Sequence, residues 1–176
     1  LKHTASSVQL RSGEQRGDAH LEANPMGQVP VLTLADGSVL TQSMAVLEYL
    51  EETVPAPPLL PVSPRGRARV RELAEVINSG IQPLQNLGVL QRVDKLGGEA
   101  RVWAQDTITQ GCRALESLVE DEPGPFLAGS QVSLADVLLV PQMYNARRFG
   151  CRTEAWPHLV RAEAAALQLP AFHDTH

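Results

Sequence analysis

The segment that most limits what this chain can become is Val54-Pro55-Ala56-Pro57-Pro58-Leu59-Leu60-Pro61, in which four of eight residues are proline. Proline fixes φ and has no N–H, so neither a helix interior nor a central strand runs through it. The chain must build its structure on either side of an extended linker. The two sides also differ in texture. Residues 1–53 read as a small α/β domain, 54–63 as the linker and 64–176 as an all-helical domain.

On the first side, Ser7-Val8-Gln9-Leu10 alternates polar and apolar and predicts a short strand, and Glu14–Leu21 a short helix. Val29–Leu34 and Ser38–Thr41 flank Ala35-Asp36-Gly37, and Asp-Gly between two β-branched runs is a hairpin signal. From Ser43, Met44, Leu47 and Leu50 recur at every third position opposite Glu48, Glu51 and Glu52, which predicts an amphipathic helix. Parallel strands need a complete strand–helix–strand crossover, and this segment holds none, so it reads as the back of a fold whose front precedes Leu1.

On the second side, Ser63-Pro64 reads as an N-cap with a first-turn proline. Val70, Leu73, Ala74, Ile77, Ile81, Leu84 and Leu87 then step by three and four, predicting one long helix bent near Pro83. Ala104, Ile108, Cys112, Leu115 and Leu118 form the stripe of a second helix. A third begins at Ser133, with Asp136 three residues on as a capping-box acid. Its run Leu134, Val137, Leu138, Leu139 and Val140 is apolar on nearly all faces, which predicts a central, buried helix. A last helix spans Trp156 to Leu167.

Composition removes several function classes. A net charge of -5 over 176 residues argues against a broad surface for nucleic acid or an anionic membrane. No apolar run reaches the roughly 18 residues of a membrane span. Two cysteines, Cys112 and Cys151, build no disulfide framework and fit a reducing cytoplasm. They and five histidines show no zinc-ligand spacing, so no metal is expected. Arg65, Arg67, Arg69 and Arg71 read as a solvated face. There is no Ser/His/Asp arrangement, phosphate loop or dinucleotide fingerprint, and Cys112 lies on an apolar stripe and reads as core.

Few residues are left to carry chemistry, and each has a plainer reading. Val29-Pro30 is either an ordinary trans turn or a cis bond that leaves the Val29 main chain free to pair with an extended peptide. Ser43, after Gln42, is either an N-cap or part of a carboxylate site at a helix tip, since free N–H groups there attract anions. Gln82, Gln85 and Asn86 lie either on a helix surface or along a cleft. Arg147 and Arg148 either offset a helix C-terminus or clamp an anionic substrate.

Taken together, Asn24-Pro25-Met26-Gly27-Gln28-Val29-Pro30, the run from Gln42-Ser43 to Glu52, Gln82-Pro83-Leu84-Gln85-Asn86, Ser133-Leu134-Ala135-Asp136, Val140-Pro141-Gln142 and Asn145-Ala146-Arg147-Arg148-Phe149 resemble the zeta class of glutathione transferases. The match runs from about residue 7 to 173. The resemblance implies a thioredoxin-like N-terminal domain and an all-helical C-terminal domain, with glutathione as cofactor. It implies that Val29, before a cis-Pro30, pairs with the cysteinyl part of glutathione and that Gln42 and Ser43 hold its γ-glutamyl carboxylate. Gln15 matches a position near the glycyl end, and Gln82 and Asn86 positions that reach the tripeptide or the active-site cleft. Arg148 matches a substrate-carboxylate ligand. Ser133 and Asp136, like Pro30, take structural roles. The Ser or Cys motif that activates the thiol is expected before Leu1, so the catalytic group is unknown.

The activity this implies is glutathione-dependent cis–trans isomerisation of maleylacetoacetate to fumarylacetoacetate in tyrosine and phenylalanine breakdown. The partners are glutathione and a small dicarboxylate, and the assembly is a homodimer in the cytoplasm, without nucleic acid or membrane. The alternatives are isomerisation of the shorter maleylpyruvate, a general zeta-class transferase, and a non-catalytic interaction module of the same fold.

Overall fold

The computed structural model describes residues 2–173 and divides into two compact units, Leu1–Val54 and Pro55–His176. In the first, a 3₁₀ turn at Glu14–Arg16 precedes α1 (Asp18–Ala23), the strands β1 (Val31–Thr33) and β2 (Val39–Thr41), and α2 (Ser43–Thr53). The strands form an antiparallel hairpin in the register Val31↔Thr41, Leu32↔Leu40 and Thr33↔Val39. Its turn is set by Asp36, whose Oδ1 accepts from the Ser38 N–H at 2.9 Å, and by Gly37 at φ 85°. No strand forms at Ser7–Leu10. Alternation alone does not make a strand, because the ladder needs an edge to pair with.

In the second unit, the proline-rich segment has neither helix nor strand, yet it is tied down. Leu60 is buried, and the Leu59 carbonyl accepts the Leu134 N–H at 3.1 Å. The helices are α3 (Pro64–Asn78), α4 (Leu87–Lys95), α5 (Ala100–Leu118), α6 (Leu134–Phe149), α7 (Pro157–Ala166) and α8 (Pro170–His173). Ser63 caps α3 by accepting from the Gly66 N–H at 3.1 Å. The long bent helix expected through Pro83 is instead two helices joined by turns over 79–86. Pro83 has no N–H for the carbonyl four residues back, and the Gln82 N–H has moved to the Ile77 carbonyl at 2.9 Å.

Helices α3, α5, α6 and α7 enclose the core. Leu73, Ile77, Ile108, Leu115, Leu139, Met143 and Leu159 have no exposed surface, and each such burial contributes about 1.5–3 kcal/mol. The α5 stripe runs Ala104, Ile108, Cys112 and Leu115, and then Val119 is buried in place of the part-exposed Leu118. Helix α6 is the central element, as its apolar sequence predicts, with eight buried residues from Leu134 to Ala146. One of them, Gln142, is a fully buried carboxamide.

Candidate functional site

Four of the expected site residues leave one end of the hairpin together. Because Val31 pairs with Thr41, Val29-Pro30 and Gln42-Ser43 leave the hairpin at the same end, beyond the last pair. The Val29–Pro30 bond is cis. Val29 is 45% exposed, and among the described residues its N–H and carbonyl have no partner. The loop that feeds it is fixed from below. Asn24, 2% exposed, donates from Nδ2 to the Gln28 carbonyl at 2.7 Å and accepts the Met26 N–H at 3.1 Å. His20 Nε2 also meets the Gln28 carbonyl, at 2.9 Å.

Ser43 is the first helical residue of α2 rather than its cap. The cap is Gln42, at φ 72° and ψ 122°, a conformation that side chains larger than glycine rarely adopt. No side chain caps this helix, and the first intrahelical bond runs from the Val46 N–H to the Gln42 carbonyl. The N–H groups of Ser43, Met44 and Ala45 are therefore left open beside the Ser43 hydroxyl, at the positive end of an 11-residue helix. Open N–H groups at a helix N-terminus are suited to an anion such as a carboxylate.

Gln15 lies in the 3₁₀ turn of the same unit, and its Oε1 is buried without a hydrogen-bond partner. Gly27, at φ 61°, lets this turn approach the loop before Val29, since a Cβ there would meet the Gln15 carbonyl at 3.1 Å. An orphaned acceptor here suits a ligand N–H. An extended peptide with an unpaired main chain and a terminal carboxylate thus fits this unit on three counts: Val29, the α2 tip and Gln15.

The remaining residues lie in the helical unit. Gln82 and Asn86 sit on the turns between α3 and α4. Asn86 caps α4, accepting the Gly88 N–H at 3.2 Å, and Gln82 Nε2 donates to Gln142 Oε1 at 2.9 Å. Arg147 and Arg148 end α6 in different surroundings. Arg147 pairs through both terminal nitrogens with Glu163 of α7, at 2.6 Å for Nη1–Oε1, and this partner raises its pKa. Arg148 is exposed, 5.8 Å from the centroid of the Phe149 ring, and its guanidinium has no hydrogen-bond partner among the described residues. At the other end of α6, Asp136 Oδ2 accepts from the Ser133 N–H at 2.9 Å and its hydroxyl at 2.8 Å, while Oδ1 accepts from the Leu127 N–H at 2.9 Å. That pair fastens the helix start to the preceding loop.

Neither thiol is poised as a nucleophile. Burial pushes the Cys112 thiol up to about 12, with Cys151 adding to the shift, and burial raises Cys151 as well. Among the described residues no group of His, Cys, Asp and Glu could hold a metal ion. Among the described residues no helix is long and apolar enough to cross a membrane. The sequence reading assigned no role to Gln142, Asn24 or Glu163. Gln142 was visible as the one amide in an otherwise apolar run, whereas the other two are recognisable only from their partners.

Residues 1–53 match the family described as glutathione S-transferase, N-terminal domain. Fold and site together define a glutathione transferase, a thioredoxin-like unit followed by an all-helical one. The chain is 46% identical to the maleylacetoacetate isomerase of Rattus norvegicus over 165 residues, 93% of this chain and 74% of the relative. It is 48% identical to the crystal structure of maleylacetoacetate isomerase from Anaeromyxobacter dehalogenans 2CP-1 with glutathione bound in the active site. The TM-score is 0.89, covering 100% of this chain and 83% of that one. A second structure of that enzyme holds dicarboxyethyl glutathione and citrate there, at 45% identity, TM-score 0.88 and coverage of 100% and 80%. A holo maleyl pyruvate isomerase, described as a bacterial zeta-class glutathione transferase, gives 36% identity, TM-score 0.90 and coverage of 94% and 81%. The chain belongs to the maleylacetoacetate isomerase family within the zeta class of glutathione transferases.

Proposed function

We propose that this protein is a glutathione-dependent cis–trans isomerase that converts maleylacetoacetate to fumarylacetoacetate. The observation that carries the reading is the shared end of the hairpin, where an unpaired main chain at Val29 stands beside the open tip of α2. Bound glutathione supplies a thiolate that adds reversibly to the cis double bond, which then turns as a single bond and re-forms trans when the thiolate leaves.

The chain's own residues bind and orient. The N–H groups of Ser43, Met44 and Ala45, with the Ser43 hydroxyl and the Gln42 amide, hold the γ-glutamyl carboxylate. The Val29 main chain pairs with the cysteinyl unit as an added strand would, and Gln15 accepts an N–H near the glycyl end. Arg148, whose fork of donors is unengaged, holds a substrate carboxylate and stabilises the negative charge that develops on the conjugated carbonyl. Citrate in the active site of the Anaeromyxobacter enzyme supports a site for small polycarboxylates. We place the enzyme in the cytoplasm as a homodimer, the latter readable by sedimentation velocity.

The test is a spectroscopic isomerase assay with and without glutathione. Turnover of maleylacetoacetate that requires glutathione is expected, and no turnover in its presence refutes the reading. The likeness to the maleyl pyruvate isomerase favours a second substrate of the same chemistry. A larger kcat/KM on maleylpyruvate than on maleylacetoacetate would make that substrate the principal one.

A further inference from the structure

We propose that His20 is a positioning residue for the glutathione site, acting through the Gln28–Val29 peptide group. The inference rests on the reading above, in which the Val29 main chain pairs with glutathione. Every residue it uses lies in one unit, Leu1–Val54. The Gln28 carbonyl accepts two side-chain N–H groups, from Asn24 Nδ2 at 2.7 Å and from His20 Nε2 at 2.9 Å. Both donors belong to α1 and its C-cap. Together they fill the two lone pairs of the carbonyl. A carbonyl only accepts, so Nε2 is the imidazole nitrogen that carries the hydrogen.

Neither bond is needed to offset burial. Gln28 is exposed, and water would satisfy its carbonyl as well. Asn24 already fastens the loop, since it is 2% exposed and its Oδ1 accepts the Met26 N–H at 3.1 Å. The second donor, His20, contributes direction. The Gln28–Val29 bond is trans. In a trans peptide group the N–H points opposite to the C=O. Holding the carbonyl toward α1 from two points therefore turns the Val29 N–H away from α1. There it has no partner among the described residues, on a residue that is 45% exposed. Donors on the carbonyl also polarise the amide and strengthen its N–H as a donor. Rotation of the peptide group would break both bonds at once, so the N–H is aimed before a ligand arrives. Without His20 a single bond resists that rotation, and affinity falls about two- to tenfold.

The full chain tests this, with glutathione affinity read by calorimetry, melting temperature measured alongside and the Val29 amide followed by NMR. His20→Phe keeps a ring and removes the donor. It is expected to weaken glutathione about two- to tenfold and to lower the melting temperature by no more than about 4 °C. It should also shift the Val29 amide resonance of the ligand-free chain, because the carbonyl bonded to that nitrogen has lost a partner. His20→Gln, whose amide nitrogen reaches about as far as Nε2, should restore affinity to within about twofold and return the resonance. A role in packing alone would not be rescued this way, since glutamine does not replace the ring. A His20→Gln chain as weak as His20→Phe overturns the proposal, and so does a Val29 resonance that His20→Phe leaves in place. If His20→Phe does not fold, His20→Leu takes its place. An unmutated chain that binds no glutathione defeats the reading of the site and this one with it. Unchanged affinity in His20→Phe, where the unmutated chain binds, defeats this one alone.

Discussion

Arg147 and Arg148 are adjacent, yet only one of them is available to a ligand. Arg147 is bound at both terminal nitrogens by Glu163, which is 5% exposed, so its charge serves the packing of α6 on α7. Arg147→Ala should lower stability by about 1–2 kcal/mol in urea unfolding, since it leaves a mostly buried carboxylate unpaired while the lost cation was itself half-exposed. Arg148→Ala should leave stability unchanged and cut kcat/KM for the dianionic substrate by about tenfold or more, with a smaller loss for conjugation of a neutral electrophile. Equal losses on both substrates would remove its role. The sequence displays the pair but not the choice between them, because Glu163 lies 16 residues away on another helix. Gln42 is a similar case. Its φ of 72° is invisible in the sequence and costs about 1–3 kcal/mol for a residue with a Cβ. Gln42→Gly should therefore hold or raise the urea midpoint while weakening glutathione binding. A variant that binds as well as the parent would show that Gln42 contributes nothing beyond the turn.

Elements were legible where the signal is local and ambiguous where it is not. The hairpin follows from Asp36-Gly37, and α6 from its apolar run and the Ser133–Asp136 spacing. The break after α3 was hidden because the turn residue Ile81 is as buried as Leu73 and Ile77, so the apolar spacing continues where the helix has stopped. The start of α7 lies where Trp156-Pro157 announces it, with Trp156 as the cap and Pro157 first in the helix, but what satisfies its N–H groups was not readable. Its first N–H groups, on His158 and Leu159, are accepted by Glu116 of α5 at 3.0 and 3.1 Å, in place of a local side-chain cap. The fastening of α6 gives the sharpest element-scale prediction. Asp136→Ala strips partners from the Ser133 N–H, the Ser133 hydroxyl and the Leu127 N–H at a site with no exposed surface. A loss of about 2–5 kcal/mol is expected in urea unfolding. Ser133→Ala, which removes only a hydroxyl, should lose about 1 kcal/mol. Comparable losses would place the stabilisation in the serine rather than in the buried carboxylate.

Across the whole molecule, the fully buried apolar side chains of the described residues all lie between Leu60 and Ala166, in the helical unit. The hairpin unit holds its apolar residues half-buried or, as at Met26 and Val29, exposed, and a two-stranded sheet alone is marginal in water. Which apolar residues are fully buried was not readable from the sequence, because half-buried and fully buried stripes share the same spacing. Stability should therefore be graded along the chain. In native-state hydrogen exchange, amides of α3, α5 and α6 are expected to exchange only through global unfolding, and those of α1, β1, β2 and α2 through cheaper local opening. That ordering bears on function, because a ligand adds most protection where the free protein opens most easily. Glutathione at 100 times its dissociation constant stabilises the bound form by about 2.7 kcal/mol, so exchange that requires opening of the ligand site slows by about 100-fold. The slowing should fall on the hairpin amides and the first turn of α2, with little change in α7. Uniform exchange along the free chain would contradict the graded picture. Protection by glutathione that spared residues 29–46 would separate the ligand from the end of the hairpin.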